Sequence, residues 1–237
     1  MTNTPEGRES RPQAAVDIFG DRVELAEAYV DILSEEGVLR GLIGPREPAR
    51  LWSRHILNSA VVGEAIPQGL RVTDIGTGAG FPGIPLAIAR PDLDVVLVEP
   101  LLRRTTFLDE VVARLDLRNV TVLRGRAEEE RILADAGGAD VVTSRAVAPL
   151  DRLARWSAPL IRVGGEFVAL KGRSAADEIA EHARAVAEVG LTDLSTREAG
   201  VGTIDPPSTL LIGIRVETAA DRKARARAQR RAQRRSR

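Results

Sequence analysis

Val72-Thr-Asp-Ile-Gly-Thr-Gly-Ala-Gly-Phe-Pro-Gly-Ile-Pro-Leu-Ala-Ile-Ala89 reads as a strand, a glycine-rich turn and the opening of a helix in immediate succession. Gly76, Gly78 and Gly80 allow backbone angles and close approaches that a Cβ forbids, so a cofactor can lie against the main chain at a helix start. A dinucleotide fingerprint would run G-x-G-x-x-G, but counting from Gly76 its last position falls on Phe81. The order here is G-x-G-x-G with Asp74 two places ahead, which suits a cofactor without a pyrophosphate.

A second acid narrows the choice to an adenosyl cofactor. Val95-Val-Leu-Val-Glu99 is a β-branched run ending in a carboxylate, 23 residues beyond Gly76, where a second parallel strand would end. The two oxygens of Glu99 can accept from both ribose hydroxyls, which also selects against a 2′-phosphate.

Composition sets the outer limits. A chain of 237 residues with 43 % apolar content can bury one substantial core and a small appendage. No apolar run reaches the 18 residues of a membrane span, and Met1 to Gln13 lacks the apolar stretch of a secretory signal, so a cytoplasmic protein without a membrane partner is expected. The absence of cysteine removes disulfides and thiolate metal sites, and with them the thiol-addition route to pyrimidine C5 methylation; no metal is expected.

The formal charge of zero hides a division. Residues 221 to 237 hold nine Lys or Arg against one Asp, leaving 25 basic and 33 acidic side chains in the remainder. An acidic body therefore carries a basic tail. Arg227, Arg230, Arg231, Arg234 and Arg235 would share one face of a helix, but like charges at that spacing repel. The free tail is expected to be disordered and able to fold against phosphate.

Apolar positions from Val23 to Leu33 fall mostly at helical spacing, and the sequence predicts a helix over 16–37. A second follows the breakers Pro45 and Pro48 and carries Leu51, Trp52, His55, Ile56 and Ser59 on or beside one face. From residue 71 strands and helices alternate: strands at 71–75, 94–99, 119–124, 139–144 and 164–171, with helices at 81–90, 102–115, 126–136, 149–160 and 175–189. Two closing strands follow near 192–199 and 208–216. The expected organisation is a disordered segment 1–15, a helical cap 16–66, a doubly wound, Rossmann-like α/β sheet of seven strands over 67–217, and the tail 218–237. Ligands of such sheets sit at the carboxyl ends of the strands, where Asp74, Glu99, Arg126 to Glu128, Ser144, Arg145 and Lys171 fall.

Five βα units closed by two strands match the element count of the class I S-adenosylmethionine-dependent methyltransferase fold. Within that frame, Arg54-His-Ile-Leu-Asn-Ser59, Thr73 to Pro85, Arg103-Arg-Thr-Thr-Phe-Leu108, Thr143-Ser-Arg-Ala146 and Ala169-Leu-Lys-Gly172 together resemble the ribosomal RNA small subunit methyltransferase G family. The resemblance runs from about Leu51 to Asp177. It implies S-adenosylmethionine as cofactor, N7 of one guanosine in 16S rRNA or the small ribosomal subunit as target, and cofactor contacts at Gly76, Phe81, Ala127, Glu128 and Arg145, with Glu99 on the ribose. The residues themselves add Asp74 and Gly78 to the cofactor set. The tail lies outside the shared pattern.

Guanine N7 has an in-plane lone pair, so its methylation requires no general base. Consistently, the segment after the fourth strand, Ser144-Arg-Ala-Val-Ala-Pro149, lacks the Asn/Asp-Pro-Pro-aromatic clamp common in amino-group methyltransferases. Arg145 could anchor the cofactor's carboxylate or a phosphate, and Lys171 could meet a phosphate, making these two the candidate catalytic residues. Arg54, His55, Arg103, Arg104 and Lys171 are the candidate RNA contacts, although a lone His at an apolar helix boundary is more often packed than reactive. A monomer is expected. A small-molecule or protein methyltransferase on the same sheet, or a non-catalytic RNA-binding protein, remain as alternatives, because fold alone does not separate them. An aromatic content of 3 % argues against a platform of several stacked bases.

Overall fold

In a computed structural model, described here for residues 8–145, 148–223 and 226, strands alternate their apolar side chains between two faces of one sheet. Along β2 (Asp94–Glu99), Val95 and Leu97 pack on one side while Val96 and Val98 pack on the other. Each face thus needs its own helical cover, and two separate apolar clusters result.

The sheet has seven strands in the order β3-β2-β1-β4-β5-β7-β6. β1 (Arg71–Ile75), β2, β3 (Val120–Arg124), β4 (Ala139–Arg145) and β5 (Ile161–Lys171) run parallel. β7 (Ser208–Arg215) is antiparallel to both β5 and β6 (Leu191–Ala199). The winding reverses between β1 and β4, which pair in parallel with Asp74 opposite Thr143. A crevice therefore opens at their carboxyl ends.

One face is covered by the N-terminal cap together with α4 (Gly83–Ala89) and α5 (Leu102–Arg114). The other is covered by α6 (Glu130–Ala136), α7 (Leu150–Ser157) and α8 (Ala175–Glu188). The cap comprises α1 (Gln13–Phe19), α2 (Val23–Ile32) and α3 (Leu57–Ala60), joined by tighter and wider helical turns. Trp52 and Tyr29 are fully buried in its contact with the sheet.

Several boundaries differ from the sequence reading. The helix expected over 16–37 breaks at Gly20, whose φ of +51° ends α1 before α2 begins. Residues 8–15, expected to be disordered, are held by charge: Arg8 pairs with Glu27 and Asp31, Arg11 with Glu24, and α1 starts at Gln13. The helix expected from 126 starts at Glu130, because the Glu129 carboxylate accepts the Arg126 N–H and closes a turn first. The tail expected to be disordered over 218–237 is helical at 219–223, where Asp221 pairs with Arg215 and accepts from the Thr218 N–H, whereas the arginines 227 to 235 lie outside the described residues.

Candidate functional site

β1 delivers the chain into the glycine turn at the crevice. Gly76 and Gly78 adopt φ of +68° and +62°. Gly80 is required more strictly: its φ is +112°, and a Cβ there would stand 2.6 Å from the Tyr29 hydroxyl and 2.7 Å from Ile84. Tyr29 donates from α2 to the Ala79 carbonyl at 2.6 Å, so the cap presses directly on the turn.

Two acids brace the turn from beneath. Asp74 is fully buried, and its Oδ2 accepts the Gly83 N–H at 2.9 Å, tying the start of α4 to the end of β1. Burial pushes its carboxyl up to about 7, against the lowering pull of the Gly83 N–H and the Arg145 charge. Glu99 is 1 % exposed and accepts from the N–H of Gly78 and of Leu101, each at 3.0 Å. Its second acceptor positions meet Arg104 Nη1 only at long range, 3.5 Å from Oε1 and 3.4 Å from Oε2.

Beside Gly76 opens a slot of about 200 Å³, walled by Ile75, Val98, Pro100, Ala127 and Trp156, with Glu128 at its edge. A neighbouring groove of about 370 Å³ also starts at Gly76 and runs past Gly78 and Phe81 to Arg145. A flat apolar slot next to a glycine turn and a carboxylate suits an adenosine. The residues present therefore fit S-adenosylmethionine.

Phe81 is the hub of the groove. The His55 ring stacks on it at 5.1 Å between centroids, and the Arg145 guanidinium stands 4.4 Å from its centroid. Arg145 makes no side-chain hydrogen bond or ion pair among the described residues, so its donors are available to an anion. His55 also bonds through Nε2 to Glu47. Burial, aided by the Arg145 charge, pushes its imidazole down to about 4 despite Glu47, so it is neutral at pH 7.

Arg54, His55 and Arg145 also line a larger cleft of about 620 Å³, whose far side is built by the ends of β5 and β6 and the start of β7. The crevice thus holds an adenosine-sized slot, a middle groove and a basic cleft in sequence.

The family whose model is described as rRNA small subunit methyltransferase G matches residues 22–203. The chain belongs to this family. Ribosomal RNA small subunit methyltransferase G of Salinispora arenicola is 55 % identical over 227 residues, covering 92 % of either chain. That of Mycolicibacterium gilvum is 50 % identical over 219 residues, 92 % of this chain and 96 % of the relative. Among solved structures, M. jannaschii TYW2 in complex with AdoMet shares 17 % identity and a TM-score of 0.52 over 70 % of this chain and 78 % of that one. A predicted O-methyltransferase, protein Atu636 from Agrobacterium tumefaciens, shares 18 % and 0.52 over 68 % and 81 %. Both likenesses are of fold: this is a class I methyltransferase sheet.

In this methyltransferase G chain, most of the expected cofactor residues converge: Gly76, Ala127 and Glu128 on the slot, Gly78, Phe81 and Arg145 on the groove. Asp74 departs from its expected place, lying under the turn rather than on the cleft wall, where it positions backbone. Two expected RNA contacts are also committed elsewhere. Arg104 turns inward from the first turn of α5 to Glu99, with Nη1 3.4 Å from Oε2, because Glu99 is a buried carboxylate at the adjoining end of β2. The Lys171 side chain is 6 % exposed and donates to Glu178 at 2.7 Å and to the Ala148 carbonyl at 3.2 Å, so it clamps the segment after β4 onto α8. Arg103 is exposed, and Arg54 reaches only a loose pairing with Glu47 at 3.7 Å.

Sequence reasoning missed Tyr29, Glu47, Trp156, Glu178 and Gly83. Only Gly83 carried a local signal, as a fourth glycine in the motif: a Cβ there would meet Leu97 at 2.2 Å and the Asp74 carboxylate at 2.8 Å. The others come from distant segments and have no motif of their own.

Proposed function

We propose that this chain transfers a methyl group from S-adenosylmethionine to N7 of a guanosine in 16S rRNA, by alignment rather than by proton abstraction. When bound, the cofactor supplies an electrophilic methyl on a sulfonium. The chain's residues do the rest by position. Ile75, Val98, Pro100 and Ala127 take the adenine, Glu99 takes the ribose as the ribose hydroxyls displace its long contacts with Arg104, and Arg145 takes the carboxylate of the amino-acid end or an RNA phosphate.

The carrying observation is Arg145, an uncommitted guanidinium fixed over Phe81 on the lip common to the cofactor groove and the basic cleft. Among the described residues of the cofactor groove no acid or base is poised for proton transfer: His55 is neutral but bonded to Glu47, and Asp74 lies beneath the turn. That suits an acceptor that already owns its lone pair, for which orientation supplies on the order of 7 to 11 kcal/mol. The reading includes a cytoplasmic location and a monomer; all three parts of the crevice are lined by one chain, which is compatible with a monomer acting alone. Among the described residues no helix is long and apolar enough to cross a membrane.

Labelled methyl transfer to small subunits, naked 16S rRNA and protein, followed by nucleoside digestion, tests the proposal. N7-methylguanosine is the expected product; label on protein alone, or on another nucleoside, would overturn it.

A further inference from the structure

The basic cleft contains one carboxylate, Glu198, with no bonded partner among the described residues. Glu198 stands at the carboxyl end of edge strand β6 and is paired in register with Thr209 of β7, which is paired in turn with Lys171 of β5. The three residues therefore stand side by side across the rim of the sheet, and all three line the 620 Å³ cleft. Arg54, Arg145 and Arg173 line it too, and Lys171 is already balanced by Glu178. Glu198 makes no side-chain hydrogen bond or ion pair among the described residues, and no other carboxylate lines this cleft. It does not border the cofactor groove, so it lies on the part of the cleft away from the methyl donor.

A free carboxylate works against phosphate binding, so its use in an RNA cleft has to be sought at a base. Guanine is the base that presents two adjacent donors, N1–H and N2–H, on its pairing edge, and a carboxylate can accept both at once. Adenine offers an acceptor at N1, cytosine one at N3, and the uracil N3–H is flanked by two carbonyl oxygens; each sets a lone pair against the carboxylate. N7 lies across the purine from N1 and N2. A guanine gripped on its pairing edge by Glu198 therefore turns N7 toward Arg145 and the groove. As the N7 lone pair forms its new bond to carbon, positive charge arrives on the purine, and an anion already bonded to the ring favours that change.

We propose that Glu198 is the specificity-determining acceptor for the target base, taking guanine N1–H and N2–H in a bidentate hydrogen bond. This rests on the N7-guanosine reading. Pro206 and Pro207, which line the same cleft, give the base an apolar wall beside the carboxylate.

The test compares the full-length protein and Glu198→Gln on two rRNA fragments that differ only at the target nucleotide, guanosine or inosine, which lacks the N2 amine. The wild-type protein is expected to favour guanosine about 10- to 100-fold in kcat/KM, the range of one good base contact. Glu198→Gln should lose about that factor on guanosine, bring the guanosine-to-inosine ratio within about threefold of one, and bind S-adenosylhomocysteine with unchanged affinity. A wild-type protein indifferent to inosine, or a ratio unmoved by the substitution whatever its absolute rate, overturns the proposal while leaving the N7 reading intact. Absence of N7-methylguanosine from the wild-type product overturns both.

Discussion

The Tyr29 hydroxyl donates to the Ala79 carbonyl at 2.6 Å, joining a helix of the N-terminal cap to the centre of the glycine turn 50 residues later. Both groups are buried, so the turn's shape depends on a residue that no cofactor-binding motif contains. Tyr29→Phe removes the donor and leaves a buried carbonyl unpaired, which costs about 1–3 kcal/mol. Equilibrium denaturation should show that loss, and calorimetry with S-adenosylhomocysteine should show weaker binding; a variant with wild-type affinity would separate the cap from the turn.

Gly80→Ala should be more severe, because it adds a strained φ to a clash with Tyr29 and Ile84. Overpacking of this kind costs about 1–3 kcal/mol. Pairing it with Tyr29→Phe removes the atom that the new Cβ meets first. Thermal melts of the double variant should therefore show less than the sum of the two losses.

His55 predicts a pH dependence of definite sign. With its folded value at about 4 and the unfolded value near 6.5, the unfolded chain takes up the proton first as pH falls. The stability that neutral His55 contributes is thus complete above pH 6.5 and lost as pH falls toward 4, on the order of 3 kcal/mol. In an NMR titration the His55 ring should keep its neutral-form shifts at pH 5.5; a midpoint near 6.5 would contradict the burial argument. Asp74 runs the other way, because its raised value makes the fold bind a proton that the unfolded chain has released, so its contribution declines between pH 4 and 7.

Arg145→Lys keeps the charge but loses the flat guanidinium over Phe81 and the forked donor geometry. Transfer to rRNA should fall about 10- to 100-fold, with only a small drop in melting temperature, because the side chain has no hydrogen bond or ion pair to lose and its contact with Phe81 is worth about 0.5–2 kcal/mol. Near-normal turnover would show that a point charge suffices there.

The Lys171–Glu178 pair predicts energetic coupling rather than chemistry. Lys171→Met should destabilise the chain, and adding Glu178→Leu should recover part of the loss, with a coupling of about 0.5–3 kcal/mol in a double-mutant cycle. If Lys171→Met abolishes transfer at wild-type stability, the lysine acts on substrate instead.

The local sequence determined the sheet and the cofactor turn, because both are written in short-range signals. Alternating apolar runs set the strands, and Gly76, Gly78, Asp74 and Glu99 announce the turn at fixed spacing, since backbone angles and strand ends depend on neighbouring residues alone. Chain order also put Ala127 and Glu128 at the strand end where the slot opens. It could not tell which polar groups already had partners. Lys171 looked available until Glu178 of α8 met it, and Arg104 until Glu99 drew it inward. Arg145 stayed uncommitted because Phe81 offers its guanidinium a π face and no acceptor. The sequence by itself thus determined the fold and the class of cofactor. Only the tertiary structure decided which charges remain for the substrate, because pairing energy falls off within a few ångströms and the partners lie far apart along the chain.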